Sequence, residues 1–495
     1  MRKPLLDLGT LSLLAGAVLI AAGFAGSDAS WDLRNYHLYD GYALLHDRLG
    51  VDLAPAQLQT FYAPILDATY WLLLQALNRA PRLLNVVMAV PQAMAVCLSW
   101  AMARCFLSRP YALLATAISA TGAATVSTLA STMSEAPMAA LDLAALWLVL
   151  RRPERSLSAG MLAGAAVGLK LTAMPYALGL AAACGPKRLP RLVLGVVLGA
   201  GVCAGWWWFL LWRHYENPVF PYFNDLFWSP WADPVRLNDL RFMPRGLLQA
   251  LVYPCFWAWH PTTLVSELPL RDPRLALALL AVPLALRSGR SSVPMVAFFL
   301  TSFAVWEVQF SIFRYLATLE LLSGTLIVLA FRRLSWLVAP AVIAATIYPN
   351  WGRTTGPHVV AVGLPPMPAN SRVILLDPSP MAYVAAFAPR GIRFIGTDNN
   401  LTRPGQSTLL AEEIAATIRT GSGPLWGLED PAEAPGIANV TLRAYGLTRG
   451  AGCQRVRSNL DGNAILACPL ISVNSELTRP PPQSQTGAHP PSSHP

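Results

Sequence analysis

The chain has 495 residues, 54% hydrophobic and 13% charged, with a mean hydropathy of +0.43. Soluble domains carry about a quarter charged residues, so this composition excludes an ordinary soluble enzyme. The net charge of +10 (37 Lys and Arg against 27 Asp and Glu) sits mostly in short loops between apolar runs. That placement is a topology signal and not a phosphate-binding stripe, so no nucleic-acid partner is expected.

Apolar runs predict eleven transmembrane segments, at 5–25, 83–103, 110–130, 135–150, 157–170, 173–185, 189–211, 272–287, 292–310, 312–331 and 334–349. Several are short, as tilted neighbours or half-helices inside a bundle are. The first follows Met1-Arg2-Lys3 and reads as an uncleaved anchor. Basic residues recur at alternate ends: Arg104/Arg109, Arg151/Arg152/Arg155, Lys187/Arg188/Arg191, Arg287/Arg290 and Arg332/Arg333. Placing them all in the cytoplasm satisfies the positive-inside rule. Loops 26–82 and 212–271, and everything from 350 on, then face the other side. In a bacterial inner membrane that side is the periplasm.

The character changes at Asn350. Residues 371–377 and 391–396 read as strands, 381–388 as a short helix, and 409–419 has helical spacing. The expectation is a transmembrane domain over 1–349, a small α/β domain over 350–478 and a disordered Pro/Ser-rich tail over 479–495. Cys453 and Cys468 flank an Asn-Leu-Asp-Gly turn, and a disulfide-stapled hairpin is expected there. No spacing matches a metal site, and no cofactor is expected.

Loop 26–82 carries six acids from Asp28 to Asp67, in a chain poor in acids. Trp31-Asp32-Leu33-Arg34-Asn35-Tyr36 follows the first segment directly. It predicts an interfacial helix with rings at headgroup level and acids facing a cavity. Asp67 lies in an apolar run, where burying a carboxylate costs several kcal/mol unless it is paired, so a functional role is the default.

These stretches resemble the glycosyltransferase C superfamily, multi-span enzymes that include aminoarabinose transferases and protein O-mannosyltransferases. The shared mark is an acid early in the first outer loop, matched here by Asp32, although Leu33 stands where a second acid is common. Tyr62-Ala63-Pro64-Ile65-Leu66-Asp67 is similar to the family's stretch before the next helix but lacks its lysine. The resemblance covers the first 350 residues in architecture and a few dozen in motif. It implies sugar transfer from a polyprenyl-phosphate donor to a lipid or glycan acceptor at the outer face, with Asp32 catalytic.

Other charges fit that expectation. Lys170 is one of three lysines, and the only one placed near the outer face. A lysine in a segment costs about 2.5–3.5 kcal/mol, and it serves well as a point charge for phosphate. Arg314-Tyr315 begins a span where family members carry such a pair, and a guanidinium fork suits phosphate. Glu307 offers Arg314 a salt-bridge partner as the structural alternative to phosphate contact, and Glu320 a carboxylate that holds Arg314 or Lys170 in place. Asp67, Tyr36 and Asn217 complete the expected substrate contacts, the last in an aromatic- and amide-rich second outer loop. A lipid-linked-sugar flippase and a non-catalytic envelope-assembly subunit are the rival classes. The first calls for repeat symmetry, which the two halves do not display.

Overall fold

The computed structural model describes residues 7–237 and 239–473, so the expected tail at 479–495 and the basic start at Arg2/Lys3 lie outside the described residues. The first part of the chain is helical. Helix α1 (Leu8–Phe24) leads into a two-residue strand, β1 (Ser27–Asp28), a π-helical turn at Leu33–His37 and α2 (Leu38–Leu45). Helices α3 (Ile65–Leu77), α4 (Pro81–Met88), α5 (Val90–Ala103), α6 (Arg109–Ala120), α7 (Ala123–Ser127), α8 (Glu135–Arg151), α9 (Ser156–Leu169), α10 (Met174–Cys184) and α11 (Leu189–Tyr215) follow. After α12 (Asn224–Phe227) and α13 (Leu247–Trp259), the bundle resumes with α14 (Arg274–Arg287), α15 (Val293–Gln309), α16 (Ala317–Phe331) and α17 (Ser335–Ala345). Proline stands in the first turn of α4, α5, α6, α10, α11 and α15. There its missing N–H costs nothing and its fixed φ favours the helix.

Four helical stretches are long and apolar enough to cross a membrane: Pro81–Ala103, Leu189–Tyr215, Arg290–Gln309 and Phe313–Ala345. The last is interrupted at Arg332, whose φ of 50° breaks the helical path between α16 and α17. The other expected segments coincide with shorter helices. The aromatic loop 212–271 contains α13, an apolar helix that its Pro254 concealed from periodicity.

Close backbone approach holds α9 to α11. A Cβ on Gly160 would stand 2.1 Å from the Leu192 carbonyl oxygen, and one on Gly164 2.1 Å from that of Val196. Gly195 and Gly199 return the contact against Leu157 and Met161. This is small-residue helix packing, which substitutes backbone contact for the hydrophobic effect that lipid removes.

The C-terminal region is an α/β layer. Strand β2 (Arg353–Thr354) pairs with β1. A short pair, β3 (Val362–Gly363) with β9 (Arg457–Ser458), lies at its edge. The main sheet contains β4 (Arg372–Leu375), β5 (Arg393–Gly396), β6 (Leu425–Glu429), β7 (Leu447–Arg449), β8 (Gln454–Arg455) and β10 (Leu466–Ser472). Its order is β5-β4-β6-β10-β7, with β8 also on β10. β4 runs parallel to β5 and β6, and β10 is antiparallel to its neighbours. Helices α18 (Leu409–Thr420) and α19 (Ile437–Ala444) complete the layer. Cys453 and Cys468 are bridged.

The first loop is built into this layer. Leu53 pairs in parallel with Ile395 at the free edge of β5, its N–H donating to Phe394 O at 2.9 Å and its carbonyl accepting from Gly396 N at 2.8 Å. Asp52 accepts from Phe394 N at 2.8 Å and holds Arg48 at 2.5 Å. One buried cluster joins Tyr36, Tyr39 and Trp71 of the loop to Val373, Tyr383 and Phe394. The C-terminal layer therefore packs directly on the π-helical turn that Asp32 precedes.

Candidate functional site

The charged residues singled out in the sequence occupy the ends of elements, where helical backbone gives way to turns. Asp32 immediately precedes the π-helical turn. Glu135 is the first residue of α8, where the helix dipole favours a carboxylate. Lys170 ends α9 in extended conformation, with φ −153° and ψ 115°. Arg314 sits in a 3-10 turn, Phe313–Leu316, ahead of α16. That turn is pinned by Phe313 N donating to Val265 O at 2.7 Å and by Trp306 Nε1 donating to Ile312 O at 2.8 Å.

These four ends meet. Arg314 Nη1 lies 2.8 Å from Asp32 Oδ2, and Arg314 Nε lies 4.0 Å from Glu135 Oε1. Lys170 Nζ donates to the same Glu135 oxygen at 2.8 Å. Tyr315 is the floor: Lys170 Nζ lies 5.1 Å and Arg314 Cζ 5.4 Å from its ring centroid, both within cation–π range. Tyr176 donates its hydroxyl to the Tyr315 carbonyl and fixes that ring's backbone. A small recess of about 10 Å³, room for about one water, lies beside the cluster, lined by Glu135, Lys170, Thr172, Tyr176, Tyr315 and Thr318 among others.

Asp32, Glu135 and Arg314 are all buried. With two carboxylates and two cations, the set is neutral when each carries its ordinary charge. Its pairing is incomplete, however. Glu135 Oε2, Arg314 Nε and Asp32 Oδ2 make no aligned hydrogen bond, so the Asp32–Arg314 contact is one of charge at close range. Buried polar groups without partners are costly, and of these only Glu135 also lines the recess.

A belt of phenols rims the cluster. The Tyr36 ring packs edge-on against Tyr62, and Tyr62 and Tyr222 share a 2.6 Å hydroxyl contact linking loops 26–82 and 212–271. Burial pushes the Tyr36 phenol well above its ordinary value, and the Asp32 charge adds to the effect. Tyr62 is raised in the same way by burial and by neighbouring Tyr222. Both phenols therefore stay neutral and can donate.

Several expected partners differ. Arg314 pairs with Asp32 and not with Glu307, whose Oε1 has no partner. Glu320 holds neither Arg314 nor Lys170. It accepts from Ala124 N at 3.0 Å, and from Thr125 N at 2.7 Å and Thr125 Oγ1 at 2.6 Å, capping α7. Gly122 makes room for it, since a Cβ there would meet Glu320 at 2.0 Å. Asp67 faces His37 Nδ1 at 2.6 Å, beside buried Asp40. Asn217 spends its amide on its own loop, donating to Tyr222 O at 2.9 Å and accepting from Val219 N at 3.0 Å. The Asn-Pro dipeptide at 217 signals this turn.

Other pairs escaped the sequence reading. The His37–Asp67 pair links residues 30 apart, which spacing alone does not connect. Asp272 and Arg274 form a buried ion pair at 2.8 Å, with Arg274 also donating to Ile118 O and Thr121 O. The Asp-x-Arg spacing was its only local signal. Among the described residues no group of His, Cys, Asp and Glu is arranged to hold a metal. No family model, curated protein or solved structure matches the chain.

Proposed function

We propose that the protein is a membrane glycosyltransferase of the inner membrane, moving a sugar from a polyprenyl-phosphate donor to an acceptor hydroxyl at the periplasmic face. The observation that carries the proposal is the convergence of Asp32, Arg314, Glu135 and Lys170, the last two of which line a small recess. In this reading Asp32 takes the proton of the acceptor hydroxyl as that oxygen attacks the anomeric carbon. The bond from that carbon to the phosphate oxygen breaks, and the electron pair leaves on the lipid phosphate with inversion at carbon.

Arg314 and Lys170 meet the charge that gathers on the departing phosphate. The donor phosphate draws Arg314 away from Asp32, so donor binding itself frees the base. Glu135 keeps Lys170 oriented, and the neutral phenols of Tyr36 and Tyr62 offer hydrogen bonds to sugar oxygens. Membrane lipid surrounds the bundle and delivers the carrier laterally.

Transfer by purified protein in vesicles containing polyprenyl-phosphate sugars tests this reading. Asp32→Asn preserves shape and removes the base, so transfer is expected to fall by about 10²–10⁴-fold with folding retained. Transfer at the wild-type rate in that variant removes Asp32 from the mechanism.

A further inference from the structure

A second polar hollow lies away from the Asp32–Arg314 cluster. It is an open groove of about 750 Å³ between the end of α3 and the edge of the C-terminal layer. Arg79, His358 and Arg457 line it, with Ser458 and the Phe387 ring. Arg79 stands just ahead of Pro81, where the apolar stretch Pro81–Ala103 begins. The groove therefore opens where that stretch leaves the bilayer, at the height of lipid headgroups. Along α3, the ten steps from Asp67 to Leu77 separate it by about 15 Å from the His37–Asp67 pair.

Its lining is one-sided. Among the described residues, the side chains of Arg79, His358 and Arg457 make no hydrogen bond or ion pair, whereas Arg48, Arg393 and Arg449 in the same layer are each held by a carboxylate. No Asp or Glu lines the groove. Asp461, near it in sequence, is engaged by the Tyr383 hydroxyl at 2.6 Å and Asn463 N at 2.9 Å.

The lining amides are also committed. Asn78 bonds both Val360 N and Val360 O at 2.9 Å, Asn459 accepts from Ala361 N at 2.7 Å, and Asn463 accepts from Ser458 N at 2.7 Å. Ser458 Oγ accepts from Leu460 N at 3.1 Å, and its hydroxyl is engaged by the Tyr383 phenol. What remains free is two guanidinium forks and an imidazole on fixed walls. That donor set matches phosphate oxygens, which take charge-assisted and bidentate bonds from arginine.

We propose that this groove binds a phosphate-bearing headgroup or phosphorylated glycan at the membrane surface. The inference stands apart from the transferase reading, because it rests on none of the four clustered charges. The phosphoryl group can arrive on a lipid or in solution, and the test separates the two.

Full-length protein in phosphatidylcholine nanodiscs is titrated with inorganic pyrophosphate, with dihexanoyl phosphatidylglycerol and with neutral dihexanoyl phosphatidylcholine as control. At least one anionic probe is expected to bind, with affinity falling as salt rises, and the neutral control is not. Binding of the lipid alone assigns the ligand to the bilayer. Binding of pyrophosphate alone assigns it to a soluble phosphoryl compound, and mutual competition shows one site serving both.

Arg79→Gln and Arg457→Gln are each expected to weaken binding about fivefold, and together about twentyfold, as a cation near an anionic headgroup contributes. Replacing both arginines with lysine keeps most of the affinity. Both are exposed and hold no other side chain, so the glutamine variants melt with the wild type. Absence of binding by either anionic probe, or unchanged affinity in a double glutamine variant that melts normally, overturns the proposal.

Discussion

Replacing Lys170 with Met tests whether the clustered charges act as one unit. Methionine keeps the apolar stem and removes the ammonium, leaving Glu135 buried with Arg314 Nε at 4.0 Å as its remaining cation. The lost contact is the 2.8 Å Lys170–Glu135 pair. Coulomb attraction at that separation is about 6 kcal/mol at an effective dielectric near 20. Desolvation of both ions offsets most of it, yet orphaning a buried partner costs about 3–5 kcal/mol.

Glu135→Gln is expected to cost less, because the Lys170 side chain is 15% exposed and already rests over the Tyr315 ring. The double variant, with neither ion, should then recover about 2–3 kcal/mol relative to the sum of the singles. Reversible unfolding in mixed micelles, followed by the fluorescence of the 16 tryptophans, supplies the four stabilities of the cycle. Additivity within about 0.5 kcal/mol would refute the cluster as a coupled unit.

Three other perturbations follow from the fold. Burial holds the Asp40 carboxyl well above its ordinary value, and the Asp67 charge raises it further. The facing groups are Asp67 and its partner His37. A raised carboxyl contributes stability that is complete below its unfolded-state pKa of about 3.9 and lost as pH rises through the folded value. Asp40→Asn should therefore melt with the wild type near pH 4 and above it near pH 8; the reverse order contradicts the assignment. Gly164→Leu forces a side chain into the Val196 carbonyl and should separate α9 from α11, read as lost thermal stability with Gly201→Leu, which faces open space, as the neutral control. Replacing Cys453 and Cys468 with serine reopens a 15-residue loop, worth about 3 kcal/mol in unfolding of the C-terminal layer. No change in protease resistance of residues 425–472 would contradict that role.

The sequence made the ends of the site visible but not its pairings. A cation or carboxylate at the edge of an apolar run is conspicuous because lipid penalises it, so Asp32, Lys170 and Arg314 stood out. Which of them meets which depends on how four helix ends converge, and local spacing says nothing of that. Glu307 and Glu320, seven residues before and six after Arg314, were the nearest acids in sequence, yet the guanidinium reaches Asp32, 282 positions away. Glu320 looked equally available, but the absence of a Cβ at Gly122 lets the first turn of α7 approach and take it.

The α/β pattern after Asn350 was legible from its strand runs and helical spacing, and β4, β5 and α18 fall where they were expected. The β1–β2 pairing and the edge pairing of Leu53 were not. Each joins segments more than 300 residues apart through backbone hydrogen bonds that no side-chain pattern announces. That pairing sets the C-terminal layer over the π-helical turn, so the surroundings of Asp32 depend on residues far along the chain.

The central claim is that the charged cluster receives a lipid phosphate. An experimental structure of the protein in nanodiscs containing polyprenyl phosphate tests it most directly. The account predicts phosphate density between Arg314 and Lys170, with the Asp32–Arg314 contact opened from 2.8 Å. Carrier lipid bound elsewhere, with that contact still closed, would contradict it.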